Sequence, residues 1–144
     1  MILAIVSIVV LLDQLSKTIA INFLQLNTPV TLIKNFFYLT LVHNRGAAFG
    51  MLRNQLFLFI AISIFAIFFI FFHLREKKNS FLNKVSLSLI LSGALGNLID
   101  RLRFGYVIDF LDFRIWPVFN LADSALTIGA LLLSWELLFN KNVA

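Results

Sequence analysis

Four long apolar runs organise the chain. The first covers about residues 2–24 and is interrupted by Asp13 and Lys17. The second, about 54–74, carries no charge between Arg53 and Arg75. The third and fourth cover about 84–103 and 121–140. A helix needs about 20 residues to cross the hydrocarbon layer, so the pattern predicts four membrane-spanning helices. Two stretches between them have a different rhythm. "PVTLIKNFFYLTLVHN" at 29–44 is rich in β-branched and aromatic residues and reads as one or two short strands. "VIDFLDF" at 107–113 places Asp109 and Asp112 on opposite faces if the backbone is extended.

Composition agrees with the spans. The chain of 144 residues is 60% apolar with a mean hydropathy of +0.95. So small a protein cannot hide that excess in a core, which leaves one integral membrane domain over residues 1–144. The first run has no basic segment before it and two charges within it, so it reads as a span and not as a removable leader. Arg75, Lys77, Lys78 and Lys84 cluster between the second and third spans. The positive-inside rule puts that loop in the cytoplasm. Both termini are then cytoplasmic, and the longer loops, about 25–55 and 101–119, face outward. The net charge of +5 belongs to interfacial lysines and arginines, not to a nucleic-acid surface. Cysteine is absent, and His43 and His73 lie far apart without an HExxH pattern, which argues against a metal centre. His43 reads as a loop residue, and the seventeen phenylalanines as lipid-facing or packing side chains.

The polar residues form a constellation at one membrane face. "NLID" at 97–100 and "NLAD" at 120–123 repeat an Asn and an Asp three apart, hence on one helical face. One helix rises and the next descends, so Asn97, Asp100 and Arg101 share a height with Asn120 and Asp123. Taken alone, Asn120 reads as a helix N-cap with Asp123 in the first turn. An ionisable group at the edge of the hydrocarbon is costly and functional by default. Asp109 lies fourteen residues before Asp123, which lets its loop fold back over the mouth of the bundle. Two close carboxylates in a dry site share one proton, so one serves as a base and the other as an acid. Spacing alone leaves both Asp100 and Asp109 as partners for Asp123. Asp13 and Lys17, spaced i and i+4, read as a structural ion pair.

Five segments, "DQLSK" at 13–17, "NRGAAFG" at 44–50, "GALGNLIDR" at 93–101, "VIDF" at 107–110 and "FNLADS" at 119–124, occur in the order of the lipoprotein signal peptidase motifs. The chain resembles that family, also called signal peptidase II, over nearly its whole length. The resemblance implies an all-α membrane protein: a four-helix transmembrane bundle with a small extracytoplasmic β-cradle and a surface helix, largely supplied by residues 25–55. It implies an aspartic endopeptidase of the bacterial inner membrane that cuts diacylglyceryl-modified prolipoproteins just before the lipidated cysteine. The implied catalytic pair is Asp109 and Asp123. Asn44, Asn97, Asp100, Arg101, Asn120 and Ala122 match positions lining or supporting the site, and Asp13 and Lys17 a supporting polar pair. Asp112 falls outside the motif and reads as peripheral. The implied partners are the prolipoprotein, membrane lipids and globomycin-type inhibitors. No cofactor, metal or nucleic acid is expected, and the protein is expected to be a monomer.

Three rivals follow from the residues. An ion-coupled transporter would place its carboxylates near the bilayer midplane, whereas these gather at one face. A Ser–Lys peptidase would use Lys17 as its base, with Ser16 or Ser124, but Asp13 keeps that lysine charged. A non-catalytic assembly factor would tolerate Asp→Asn changes at both positions.

Overall fold

The structure, a computed structural model, describes residues 1–46, 55–75 and 80–139. Four helices and three strands run in the order α1 (Ile2–Phe23), β1 (Val30–Ile33), β2 (Phe37–Asn44), α2 (Leu56–Leu74), α3 (Phe81–Phe104), β3 (Val107–Asp112) and α4 (Leu121–Phe139). All four helices are long and apolar enough to cross a membrane, and each lies within a few residues of its predicted run. At 1.5 Å per residue they span about 30 Å, the thickness of the hydrocarbon.

The helices differ in what surrounds them. α3 is the central one, with twelve buried residues that include Asn83, Ser86, Ser88, Ser92, Asn97 and Asp100. Its serines would be costly in a dry interior without acceptors. Ser86, Ser88 and Ser92 donate to the carbonyls of Leu82, Lys84 and Ser88 one turn back. Ser80 caps the start of α3 by accepting from the Asn83 N–H, and donates to Glu136 of α4. Gly105 ends the helix at φ +78°, a left-handed conformation that a Cβ would strain. α4 packs closely on α3 because Gly93 has no side chain. A Cβ there would lie 2.3 Å from the Ala122 carbonyl oxygen. α2 is the peripheral helix, with only Ile70 and Leu74 buried, and it packs on α3. Its exposed phenylalanines face outward, as lipid-facing side chains do.

The strands form one antiparallel sheet in the order β1–β2–β3, at the end of the bundle where α1 and α3 finish and α2 and α4 begin. The all-α expectation is therefore corrected. The sheet is a separate layer, and its third strand comes from the second loop, 105–120, not from the first. A strand there is favoured because Ile108 and Phe110 bury their side chains with Ala20 and Leu41 in a small core between sheet and helices. The surface helix was expected within 25–55. Residues 25–46 hold the two strands and their turns, and 47–54 lie outside the described residues, as do Ala47–Gly50 of the "NRGAAFG" motif.

One irregularity sets the site. Leu39 pairs with Leu111 and Val42 with Asp109, so β2 carries an extra residue between them. The bulge inverts the facing of β2 beyond it. Thr40 and Asn44, four apart on β2, thereby meet Asp112 and Asp109, three apart on β3.

Candidate active site

The buried charges begin with α1. The Lys17 ammonium lies 2.9 Å from Asp13, 2.8 Å from Asp100 and 3.1 Å from the Asn97 side-chain oxygen. Lys17, Asp13 and Asp100 are each at most 1% exposed. Both carboxylates also accept backbone hydrogen bonds. Asp100 Oδ2 takes the Ile108 N–H at 3.0 Å, and Asp13 Oδ1 takes the Ala122 N–H at 2.9 Å. Gln14 Nε2 donates to Asp100 Oδ1 at 3.0 Å, to Asp13 Oδ2 at 3.2 Å and to the Gly96 carbonyl at 3.3 Å. A Cβ at Gly96 would come within 2.6 Å of Asp13, so the glycine makes room for that carboxylate.

The two gripped amides have telling positions. Ile108 directly precedes Asp109, and Ala122 directly precedes Asp123. Asp13 and Asp100 thus hold the backbone from which the other two carboxylates project, and one lysine ties both holds together.

Asp109 and Asp123 face a common cavity of about 420 Å³. Asp109 Oδ1 accepts from Asn120 Nδ2 at 2.7 Å, and its Oδ2 accepts from Asn44 Nδ2 at 2.9 Å. Asp123 Oδ1 accepts from Asn97 Nδ2 at 2.7 Å. An amide side chain can present either end, and here donor-only groups fix all three. Asn44 Oδ1 accepts the Gly46 N–H at 2.9 Å. Asn120 Oδ1 accepts the Asp123 N–H at 2.8 Å, which also caps α4. Asn97 Oδ1 accepts from Lys17 and, at 3.1 Å, from Asn120. Each oxygen is occupied by a group that cannot accept, so each NH₂ aims at a carboxylate.

Electrostatics separate Asp109 from an ordinary carboxyl. It is 1% exposed. Burial, and then the charge of Asp123, push its pKa from 3.8 up to about 7, against the opposing pull of Asn44, Asn120 and Lys17. At neutral pH it can hold or release a proton.

The structure brings the sequence-derived residues together in two shells. Asn44, Asn97, Arg101, Asp109 and Asp123 line the cavity. Asn120, Ala122, Asp13, Lys17 and Asp100 stand behind it and fix the residues in front. Arg101 donates to the Asn97 carbonyl at 3.4 Å, and its guanidinium lies 5.0 Å from the Phe59 ring centroid. Phe59, Ile62, Ser63 and Ala66 of α2 face Leu126 and Thr127 of α4 across the cavity, giving it an apolar wall beside the carboxylates. Among the described residues, no three His, Asp or Glu side chains converge as a metal site requires. Two residues were underrated from sequence. Gln14 lies among the polar residues of the Asp13–Lys17 run, and that company was its signal. Asp112, read as peripheral, is 5% exposed and accepts from Thr40 Oγ1 at 2.7 Å.

Comparison with known proteins points the same way. Residues 5–139 match the family model for signal peptidase II. The lipoprotein signal peptidase of Halothermothrix orenii is 50% identical over 133 residues, covering 92% of each chain. That of Caldanaerobacter subterraneus subsp. tengcongensis is 46% identical over 99% of each. A solved structure of a bacterial membrane enzyme superposes with a TM-score of 0.90 at 35% identity, covering 97% of this chain and 90% of that one. A match of this extent, on a multi-pass chain with two carboxylates in one cavity, assigns the chain to the signal peptidase II family, the lipoprotein signal peptidases, which are membrane-bound peptidases.

Proposed function

We propose that this peptidase is of the aspartic type, with Asp109 and Asp123 as its catalytic pair. The observation that carries the proposal is the facing of these two carboxylates onto one cavity, each held by amides that can only donate to it. Asp13 and Asp100 lack that freedom, because backbone N–H groups, Gln14 and Lys17 occupy them.

A water held between the pair attacks the scissile carbonyl. Asp123, ionised, takes the water's proton, and Asp109, protonated, donates a hydrogen bond and then its proton to the carbonyl oxygen. A tetrahedral diol forms. It collapses as the proton on Asp123 passes to the leaving nitrogen and the one on oxygen returns to Asp109, so the C–N bond breaks and the pair is restored. Lys17 has no part as a base, since two carboxylates hold it. Ser16 and Ser124 donate to the carbonyls of Asp13 and Asn120.

The substrate in this reading is a prolipoprotein bearing a diacylglyceryl group, cut just before the lipidated cysteine. Its signal peptide enters the apolar cleft between α2 and α4, and its acyl chains stay in the bilayer. The relatives named as lipoprotein signal peptidases support that substrate, and the apolar wall suits a signal peptide. In this reading the membrane is the bacterial inner membrane, with both termini cytoplasmic and the sheet end facing outward, which the basic loop at 75–84 supports. Globomycin-type peptides compete for the same cleft.

The test is cleavage of a purified diacylglyceryl prolipoprotein in detergent by the parent enzyme and by Asp109→Asn, Asp123→Asn and Asp100→Asn. The first two variants should insert and fold normally and cleave at least 10³-fold more slowly, on the order of what a general acid or base supplies. Near-normal turnover by either one defeats the assignment.

A further inference from the structure

Seven of the eight residues between β3 and α4, Phe113–Phe119, form a strap whose construction the proposed chemistry leaves unexplained. Its base is closed by backbone bonds. The Phe110 and Leu111 N–H groups donate to the Phe119 carbonyl at 3.0 and 2.8 Å, and the Phe119 N–H returns to the Leu111 carbonyl at 3.0 Å. Asp112 braces the next step. Its Oδ1 accepts the Arg114 N–H at 2.9 Å, which supports the left-handed turn at Arg114 (φ 66°). The Arg114 guanidinium lies 3.9 Å from the Tyr38 ring centroid, with its Nε 3.6 Å from Asp112. Phe113 packs on Phe36, Phe37 and Phe119.

This well-braced loop holds an apolar tip in the open. Ile115 is 90% exposed, the highest value of any large apolar side chain among the described residues, and Trp116 is 58% exposed. Lipid tails account for such exposure on the spanning helices. The strap precedes the first turn of α4, so it stands at the edge of the hydrocarbon. Trp116, Pro117, Val118 and Phe119 line the cavity that contains Asp109 and Asp123. The apolar tip is therefore continuous with the wall of the cleavage cavity.

We propose that Ile115 and Trp116 form a shelf for the acyl chains of the substrate's diacylglyceryl group, and so set the preference for a lipidated substrate. This rests on the lipoprotein peptidase reading. If the scissile bond lies at the carboxylates, the thioether-linked glyceryl group belongs to the next residue. Its chains must leave the cavity toward the membrane, and the strap offers apolar surface directly beside that exit. Asp112 then has a role: it holds the shelf at a fixed distance from the reacting bond. Arg114 is engaged with Tyr38 and Asp112, so the tip's most exposed surface is apolar, that of Ile115.

The experiment uses the full chain in mixed micelles and one lipobox peptide in two forms, S-dipalmitoylglyceryl and S-dihexanoylglyceryl. Ile115→Ser and Ile115→Asn are compared with the parent enzyme. Ile115 is exposed and lies outside the cavity lining, so both variants should keep the parent's Tm. With the long-chain peptide, kcat/KM should fall about tenfold through KM while kcat holds. With the short-chain peptide it should change less than twofold. An equal loss on both peptides overturns the proposal, because the strap would then anchor the enzyme in lipid or shape the peptide site. No loss on either overturns it as well. Asp109→Asn is run alongside. If it cleaves normally, or the parent enzyme cleaves neither peptide, the peptidase reading itself fails and the shelf falls with it.

Discussion

Asparagine at position 109 should make the protein more stable at alkaline pH and less stable at acidic pH. The carboxyl moves from an ordinary 3.8 to about 7 on folding. At 1.36 kcal/mol per pKa unit, that corresponds to about 4 kcal/mol. The sign follows from proton binding. Between these values the folded chain keeps a proton that the unfolded chain has released, so stability falls as pH rises from about 4 to about 7. Above about 7 the full penalty is present, because an ionised Asp109 sits beside Asp123 out of water. Asparagine removes that pH-dependent part. It adds a constant cost, since its NH₂ must face either Asn44 or Asn120, each of which aims its own NH₂ at this position. A buried donor left unsatisfied costs about 1–3 kcal/mol. The difference leaves the variant about 1–3 kcal/mol more stable at pH 8.5, with the two curves crossing between about pH 4.5 and 6. For a chain of this size that is about 2–12 °C in Tm. Thermal unfolding in detergent, read as variant minus parent from pH 4 to 8.5, cancels the other titrating groups. A difference that stays constant across the range refutes the account of Asp109 as a strained, proton-holding carboxyl.

Other changes follow from the same geometry. Parent kcat/KM should fall about tenfold per pH unit above about 7, as Asp109 loses the proton it donates; a rate flat to pH 9 in a stopped cleavage assay contradicts this. Gly93→Ala should lower stability by about 1–3 kcal/mol through overpacking, and slow cleavage as well, because the Ala122 carbonyl and hence the Asp123 turn must move away. Thermal unfolding together with the cleavage rate reads both effects. Lys17→Met should cost about 3–5 kcal/mol by leaving Asp13 and Asp100 buried without their cation. The double change Lys17→Met/Asp100→Asn should recover part of that Tm.

The spans were legible because lipid imposes a length and a composition that few other environments demand. The height of Asp123 followed from counting back along α4, and the separation of Asp109 from Asp112 followed from strand alternation. The pairing of the strands was not legible. β3 joins β2 across more than sixty residues of sequence, and the bulge between Leu39 and Val42 has no Gly or Pro to mark it. Without that bulge Asp112 reads as a solvent-facing acid, and with it the side chain is buried against Thr40. The preference for Asp109 over Asp100 in the proposed pair was illegible for a related reason. It depends on which donors reach each carboxylate, and Lys17 and the Ile108 N–H come to Asp100 from distant parts of the chain.

The division of labour among five aspartates explains why so apolar a protein concentrates its acids here. Each carboxylate at the sheet end must find donors, and the type of donor decides the role. Backbone N–H groups and a lysine make Asp13 and Asp100 fixed parts of the frame, because moving either one would strand a buried charge. Side-chain amides hold Asp109 and Asp123 from one side and leave the other open to the cavity. The two sets are linked by single peptide units, Ile108 to Asp109 and Ala122 to Asp123. A shift of β3 or of α4 relative to α1 would therefore break a charged hydrogen bond before it changed the spacing of the pair. Asp112 extends the same principle outward, holding the strap against β2. In the proposed mechanism the pair is kept rigid by charges that take no part in the chemistry, in a membrane setting where leaving them unpaired would be prohibitive.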